Sequence, residues 1–295
     1  MRRFTPYVAV LLGIAWLPAR AQDLEKAEIR ASQLRDNLYL LQASGGNSVV
    51  SAGADGTLLV DDEYSALSGR LAAAIGKLTD RPVRFVVNTH WHDDHSGGNE
   101  AFGKAGALII AQDNSRRRMM SDQVMSLYGP QAAYASVGQP KVSFSASMQL
   151  HVNGDTIDLL YLGPAHTDGD ALVFFREPNV LMTGDLFVGY PYRPPFFDDA
   201  NGGSLEGMMA AAQAIVDLID DRTTVIPGHG DPATRADVAK YRAQLVDIRD
   251  RIKRAIARGE SEDAVVASNP VGDFAIAGKG TDRWIRVVYR EYKTP

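Results

Sequence analysis

The run His90-Trp91-His92-Asp93-Asp94-His95 constrains this chain more than any other stretch of it. Val83 to Val87 reads as a buried-type strand that leads straight into the run. Spacing of two at the end of an extended strand puts the imidazoles of His90 and His92 on one side. Asp94 and His95 follow as the chain turns away over Ser96-Gly97-Gly98, where glycine permits tight geometry. The chain has no cysteine, so thiolate ligands and disulfides are excluded. Imidazole nitrogen and carboxylate oxygen are what zinc takes when thiolates are missing. Three of the 6 histidines fall within this one window, which makes the H-x-H-x-D-H pattern specific.

Three more candidate ligands each follow a predicted strand on a glycine-rich loop. His166 lies in Gly163-Pro164-Ala165-His166-Thr167-Asp168-Gly169-Asp170, Asp185 in Thr183-Gly184-Asp185-Leu186, and His229 in Pro227-Gly228-His229-Gly230-Asp231. Loops at strand ends are where a rigid scaffold presents reactive groups. Singly each is weak, because an aspartate after a strand is more commonly a turn former. Together with the cluster they supply the six or seven donors that two metals need.

Around these motifs the pattern predicts strands over 37–41, 47–50, 57–61, 83–87, 107–110, 148–152, 156–161, 171–175, 180–182 and 224–226. Asn153-Gly154-Asp155 is a strong hairpin turn. Helices are predicted over 66–78, 98–104, a stretch beginning at Ser204, 234–258 and 282–289. Residues 23–35 read as a loosely held polar lead-in and 113–140 as a helix followed by a flap. Two mixed sheets covered by helices on the outside fit this order better than a doubly wound parallel sheet.

The ordered set of motifs resembles the metallo-β-lactamase superfamily from about Leu38 to the helix after His229. The resemblance implies an α/β fold, the four-layer αβ/βα sandwich, with metals at one edge between the sheets. It implies two Zn²⁺ per chain: His90, His92 and His166 on the first, Asp94, His95 and His229 on the second, and Asp185 bridging. Asp61, ending its strand, matches an acidic position that props the metal loops; His151 matches nothing and reads as a strand residue facing solvent or a neighbour. The implied chemistry is attack on a carbonyl by a zinc-bound water whose pKa is lowered towards about 7. Asp94 would be the catalytic residue that orients the nucleophile and passes its proton.

The substrate is left open between a β-lactam, a lactone and another ester or thioester. Resembled branches with a bridging aspartate at the Asp185 position are mainly glyoxalase-II-like and lactonase ones, whereas true β-lactamases usually carry Cys or Ser there. The alternative is a non-hydrolytic metal-binding protein or an iron-dependent sulfur-handling oxidoreductase of the same superfamily. His92 stands where the diiron branch carries glutamate, which favours zinc over iron. Gly189-Tyr190-Pro191-Tyr192-Arg193-Pro194-Pro195-Phe196-Phe197 reads either as an aromatic lip with Arg193 for a substrate carboxylate or as a proline-stiffened surface loop. Leu127 and Tyr128 are candidate apolar contacts, and Arg116-Arg117-Arg118 reads as a solvated helix face.

Arg2 and Arg3, an apolar run from Tyr7 to Leu17, and Ala19-Arg20-Ala21 form an export-signal pattern. The run is far below the roughly 20 residues of a spanning helix, so no stable membrane insertion is expected. The expected organisation is therefore a signal over 1–21 and a single domain over 22–295, placed in the periplasm or outside the cell. The net charge of −5 would move to about −8 after cleavage, which argues for a small-molecule substrate and against nucleic acid.

Overall fold

The computed structural model describes Leu24 and residues 27–125, 129–189, 194–275 and 278–293. The expected signal over 1–21, the contacts assigned to Leu127 and Tyr128, and Tyr190 to Arg193 of the expected lip lie outside the described residues. No described helix is long and apolar enough to cross a membrane.

The first sheet contains β1 (Arg30–Arg35), β2 (Leu38–Gln42), β3 (Asn47–Gly53), β4 (Gly56–Val60), β5 (Val83–Val87), β6 (Leu108–Gln112) and β9 (Val142–Phe144), in the order β1-β2-β3-β4-β5-β6-β9. Its first four strands are antiparallel, and β4, β5, β6 and β9 run parallel. The second sheet orders β10 (Ser147–Val152), β11 (Asp155–Tyr161), β12 (Ala171–Phe175), β13 (Val180–Met182) and β14 (Thr224–Ile226) consecutively, with only the last pair parallel. A hairpin of β7 (Gln123–Met125) and β8 (Gly129–Gln131) stands apart from both.

Strands such as β4, β12 and β13 read as continuous apolar runs because both their faces are buried, and successive side chains go to opposite layers. Leu40, Val49, Val87 and Ile110 of the first sheet meet Leu159, Val173, Phe175 and Ile226 of the second in one core. Their neighbours Leu41, Val50, Val86 and Ile109 point outwards, towards α1 (Ser68–Ile75) and α3 (Asn99–Lys104). On the far side Leu172, Phe174, Leu181 and Val225 pack beneath α5 (Leu205–Leu218), α6 (Arg235–Ala257) and α8 (Lys279–Lys293). The result is the expected αβ/βα sandwich of four layers. Each fully buried Val, Leu or Phe in it contributes about 1.5–3 kcal/mol.

One expectation is corrected here. Residues 30–35 are not a loose lead-in but an edge strand paired antiparallel with β2. Its largely exposed, arginine-flanked sequence is what an edge tolerates, since charge there discourages pairing with another chain. The stretch after α4 (Asp113–Met119), expected as a flap, carries the antiparallel strands β7 and β8. The short strand β9 and helix α7 (Glu262–Ala267), the latter capped by Ser261, carry too few residues for a periodic signal.

Candidate metal centre

All the candidate ligands gather at one edge of the sandwich, where β5, β11, β13 and β14 end. His90 and His92 do not sit on extended strand as the spacing suggested. They lie in bends between β5 and the single turn α2 (Asp93–Ser96). The bends still converge the two rings because Trp91 between them is drawn the other way, into an apolar nest with Met119 and Met125. The Ser96 hydroxyl fastens the turn to the carbonyls of Trp91 (2.9 Å) and His92 (2.8 Å).

The donor atoms form overlapping groups. His92 Nδ1 lies 3.1 Å from His90 Nε2 and 3.0 Å from His166 Nε2. His95 Nε2 lies 3.2 Å from His229 Nε2. Asp185 reaches both sets: Oδ1 is 3.3 Å from His95 Nε2, and Oδ2 is 3.4 Å from His229 and 3.6 Å from His166. Asp94 Oδ2 lies 3.5 Å from His229 Nε2 and 3.9 Å from His95 Nε2. Three trios, His90-His92-His166, His90-Asp94-His95 and His95-Asp185-His229, each keep their donor atoms within 4.8 Å of one another and could hold a metal ion. The seven residues singled out in the sequence are thus brought into one cluster.

Which nitrogen each ring offers follows from what holds the other one. The Thr89 hydroxyl donates to Asp61 Oδ2 (2.8 Å), so it can only accept from His90 Nδ1–H (3.1 Å), leaving Nε2 as the open donor. His95 Nδ1–H donates to the same Asp61 oxygen (2.8 Å), again freeing Nε2. His166 Nδ1–H donates to the Phe196 carbonyl (2.8 Å). His92 is reversed: Nε2–H faces Asp198 Oδ2 (3.3 Å), so Nδ1 turns inward. In every case the nitrogen left open is the one that points at the other donors.

The chemistry of this donor set fits metal cations. Inward imidazole lone pairs about 3 Å apart repel unless a positive charge lies among them. Burial, and then the neighbouring imidazoles, hold His90 well below the ordinary histidine pKa, and burial holds His166 at about 4. Burial opposes charge on His95 too, but Asp94, Asp185 and Asp61 outweigh it and raise its pKa well above normal. His229 is raised in the same way, against its burial, by Asp185. Asp185 is held well below the carboxylate range despite burial, by His229, His95 and His166. Its buried Oδ1 makes no well-formed hydrogen bond and faces only His95 Nε2 at 3.3 Å, as suits a carboxylate that expects a cation. The backbone closes tightly around the cluster: a Cβ on Gly228 would come 2.0 Å from Asp185 Oδ1, and one on Gly46 would come 2.8 Å from the His95 ring.

Asp61, read in the sequence as a prop, accepts from Thr89 N (2.7 Å), Thr89 Oγ1 and His95 at once. Its backbone is left-handed (φ 58°), which aspartate tolerates better than most residues. Next to it, buried Glu63 accepts from Gly45 N (2.9 Å) and Gly46 N (3.1 Å), fixing the loop against His95. His151 is exposed on β10 beside Thr156, away from the cluster. Thr89 and Asp198 were not singled out in the sequence, and Phe196 only as part of the aromatic lip. Asp198 stands in a proline-rich loop without a motif, and Phe196 holds His166 with a carbonyl that any residue would offer. Arg118 corrects the reading of the basic triplet: it is no solvated side chain, but makes a paired contact with Asp168 (3.2 and 2.7 Å) and donates to Asn201 Oδ1 (2.9 Å).

Comparison with known proteins gives the same picture. A sequence model of the family described as the metallo-beta-lactamase superfamily matches residues 41–229. The chain is 25% identical over 194 residues to a metallo-beta-lactamase type 2 of Elizabethkingia meningoseptica, covering 62% of this chain and 72% of that protein. A solved metallo-beta-lactamase from Pontibacter korlensis superposes with a TM-score of 0.62 at 18% identity, covering 75% of this chain and all of the other. An inverting sec-alkylsulfatase from Pseudomonas sp. superposes with a TM-score of 0.68 at 18% identity. That match covers 92% of this chain, which spans about half (51%) of the sulfatase.

Proposed function

Because the chain belongs to the metallo-beta-lactamase superfamily, we propose that it is a binuclear zinc-dependent hydrolase acting on the carbonyl of a β-lactam, a lactone or another ester. The observation that carries this reading is Asp185, whose two oxygens touch the histidines of both donor sets. A carboxylate so placed joins two metal positions into one site. His90, His92 and His166 would hold one ion, Asp94, His95 and His229 the other, and Asp185 both. When bound, the metals supply an acidified water and a Lewis acid for the carbonyl oxygen.

The chain's own groups do the rest. Asp61 and Thr89 fix the rings of His90 and His95, so the donors do not reorganise during turnover. Asp94 is the catalytic residue of this reading. Its carboxylate is about a fifth exposed, more open than the histidine rings around it, and so is placed to orient the attacking water and carry its proton outwards. Neither a serine nor a cysteine nucleophile is needed. An aspartate at position 185, where the lactonase and glyoxalase-II-like branches that the chain resembles carry one and true β-lactamases usually carry Cys or Ser, supports a lactone or ester over a β-lactam. The export pattern at residues 1–21 supports a periplasmic or secreted enzyme meeting small molecules there.

The test is a hydrolysis panel of a cephalosporin, a carbapenem, an acyl-homoserine lactone, a thioester and a secondary alkyl sulfate, with and without chelator, beside metal analysis. Chelator-sensitive cleavage of one of the carbonyl substrates with two zinc ions per chain is expected. Activity undiminished by complete metal removal, cleavage confined to the sulfate ester, or predominantly iron with no hydrolysis would each overturn the proposal.

A further inference from the structure

We propose that the C-terminal helix α8, through Trp284, positions the rings of His92 and His166, an inference that deepens the metal-site reading above and rests on it. The helix lies beyond residue 229, where the family match ends, and holds no ligand itself.

The connection runs through the strap of residues 195–205. From this strap come the Phe196 carbonyl that holds His166 Nδ1–H and the Asp198 carboxylate that faces His92 Nε2–H. The Phe196 ring also lies along His92 (5.9 Å between centroids, 27° between planes) and edge-on to His166 (5.6 Å, 84°). Asp198 N donates back to the His166 carbonyl (2.7 Å), and a Cβ on Gly203 would come 2.4 Å from that same oxygen. Strap and histidine loop are therefore in contact, so a shift of one displaces the other.

The strap has little regular structure of its own, only the turn at Asp199–Asn201. Both its ends are held by α8. Trp284, buried, donates its Nε1–H to the Pro195 carbonyl (2.7 Å), and its ring packs against Phe197. Glu291 Oε2 accepts from Leu205 N at the other end (3.2 Å). Residues 284 and 291 are seven apart, two turns of helix, and so share one face. An imidazole turns easily about its terminal torsion, and it is held only as firmly as the partner of its outer nitrogen. For His92 and His166 that partner is a strap clamped by α8, whereas His90 and His95 are held by Asp61 and Thr89, just past the ends of β4 and β5 of the first sheet. Trp284 is thus a positioning residue for one half of the cluster.

Imidazole nitrogen-15 spectra of the metal-free full chain read this directly. In the wild type the outer nitrogens, His166 Nδ1 and His92 Nε2, should each carry a proton, whichever of the crowded inner nitrogens shares a further one. Trp284→Phe keeps an aromatic ring but loses the donor, and should turn His166 into a mixture of tautomers. Glu291→Ala, which releases the other end, should act in the same direction and decides the question if Trp284→Phe does not fold. Tyr292→Phe, which loosens the same helix only at its bond to Glu206, should leave both rings unchanged. In zinc titrations against a competing chelator, Trp284→Phe should weaken one of the two ions by about tenfold, the low end for an outer partner, and spare the other. Unchanged tautomers in a folded Trp284→Phe or Glu291→Ala protein, an outer nitrogen lacking its proton in the wild type, or equal weakening of both ions would overturn the inference. A wild type that binds fewer than two zinc ions would instead sink the binuclear reading, while the metal-free spectra still decide the strap.

Discussion

At the scale of single residues, the cluster is governed by which proton sits on which nitrogen. Asp61 is the centre of this control, since one of its oxygens takes both the Thr89 hydroxyl and His95 Nδ1–H. Asp61→Asn keeps an acceptor and the left-handed backbone, but sets an amide donor against a hydroxyl or an N–H donor. Zinc affinity should fall by about 10–100-fold, measured by titration, with little change in the far-UV circular dichroism. Acidity should separate the two halves of the cluster. His95 and His229 have raised pKa values, so their protons compete with metal as the pH falls. His90 and His166 are lowered and stay neutral. As the pH falls, the affinity for one zinc should therefore drop well before that for the other. Parallel loss of both would contradict the assignment of donors. The candidate ligands stood out in the sequence because their side chains carry metal chemistry in an ordered pattern. Asp198 was not, because only its distance from His92 gives it a role.

At the scale of elements, strands buried on both faces were legible as apolar runs, whereas β1 was missed because an exposed edge strand shows no such run. The β10–β11 hairpin was legible from turn chemistry alone: Asn153 and Gly154 both take positive φ (58° and 80°), as a type I′ turn demands. A Cβ on Gly154 would meet nothing within 4 Å, so Gly154→Ala tests backbone conformation by itself. It should cost about 1–2 kcal/mol, read as a lower melting temperature with metal binding unchanged. Gly228→Ala has the opposite profile, because its Cβ would drive into Asp185 Oδ1. There zinc affinity should collapse by more than about tenfold, well beyond what the loss of stability explains. Equal zinc affinity in the wild type and Gly228→Ala would show that Asp185 is not a ligand.

At the scale of the whole molecule, stability must come from the two sheets, their helices and any metal the cluster holds, since the chain has no cysteine to cross-link it. A metal that binds only the folded state stabilises it by about 2.7 kcal/mol when present at 100 times its dissociation constant. Chelation should accordingly lower the melting temperature, and zinc should restore it; a melting curve indifferent to both would argue against a tightly held metal. By itself the sequence determined the candidate donors and their order, most of the strands and the layered architecture, because these depend on the chemistry and hydropathy of residues close together along the chain. Only the tertiary structure decided that β5, β11, β13 and β14 end at one edge, that Asp185 touches both donor sets, and that Trp284 holds the strap behind His92 and His166. The histidine 74 residues from His92 and the aspartate 106 residues from it are brought to its two ring nitrogens by sheet packing and loop closure. Local patterns do not carry such distances, and the bonds run partly to backbone carbonyls, which look alike in every sequence.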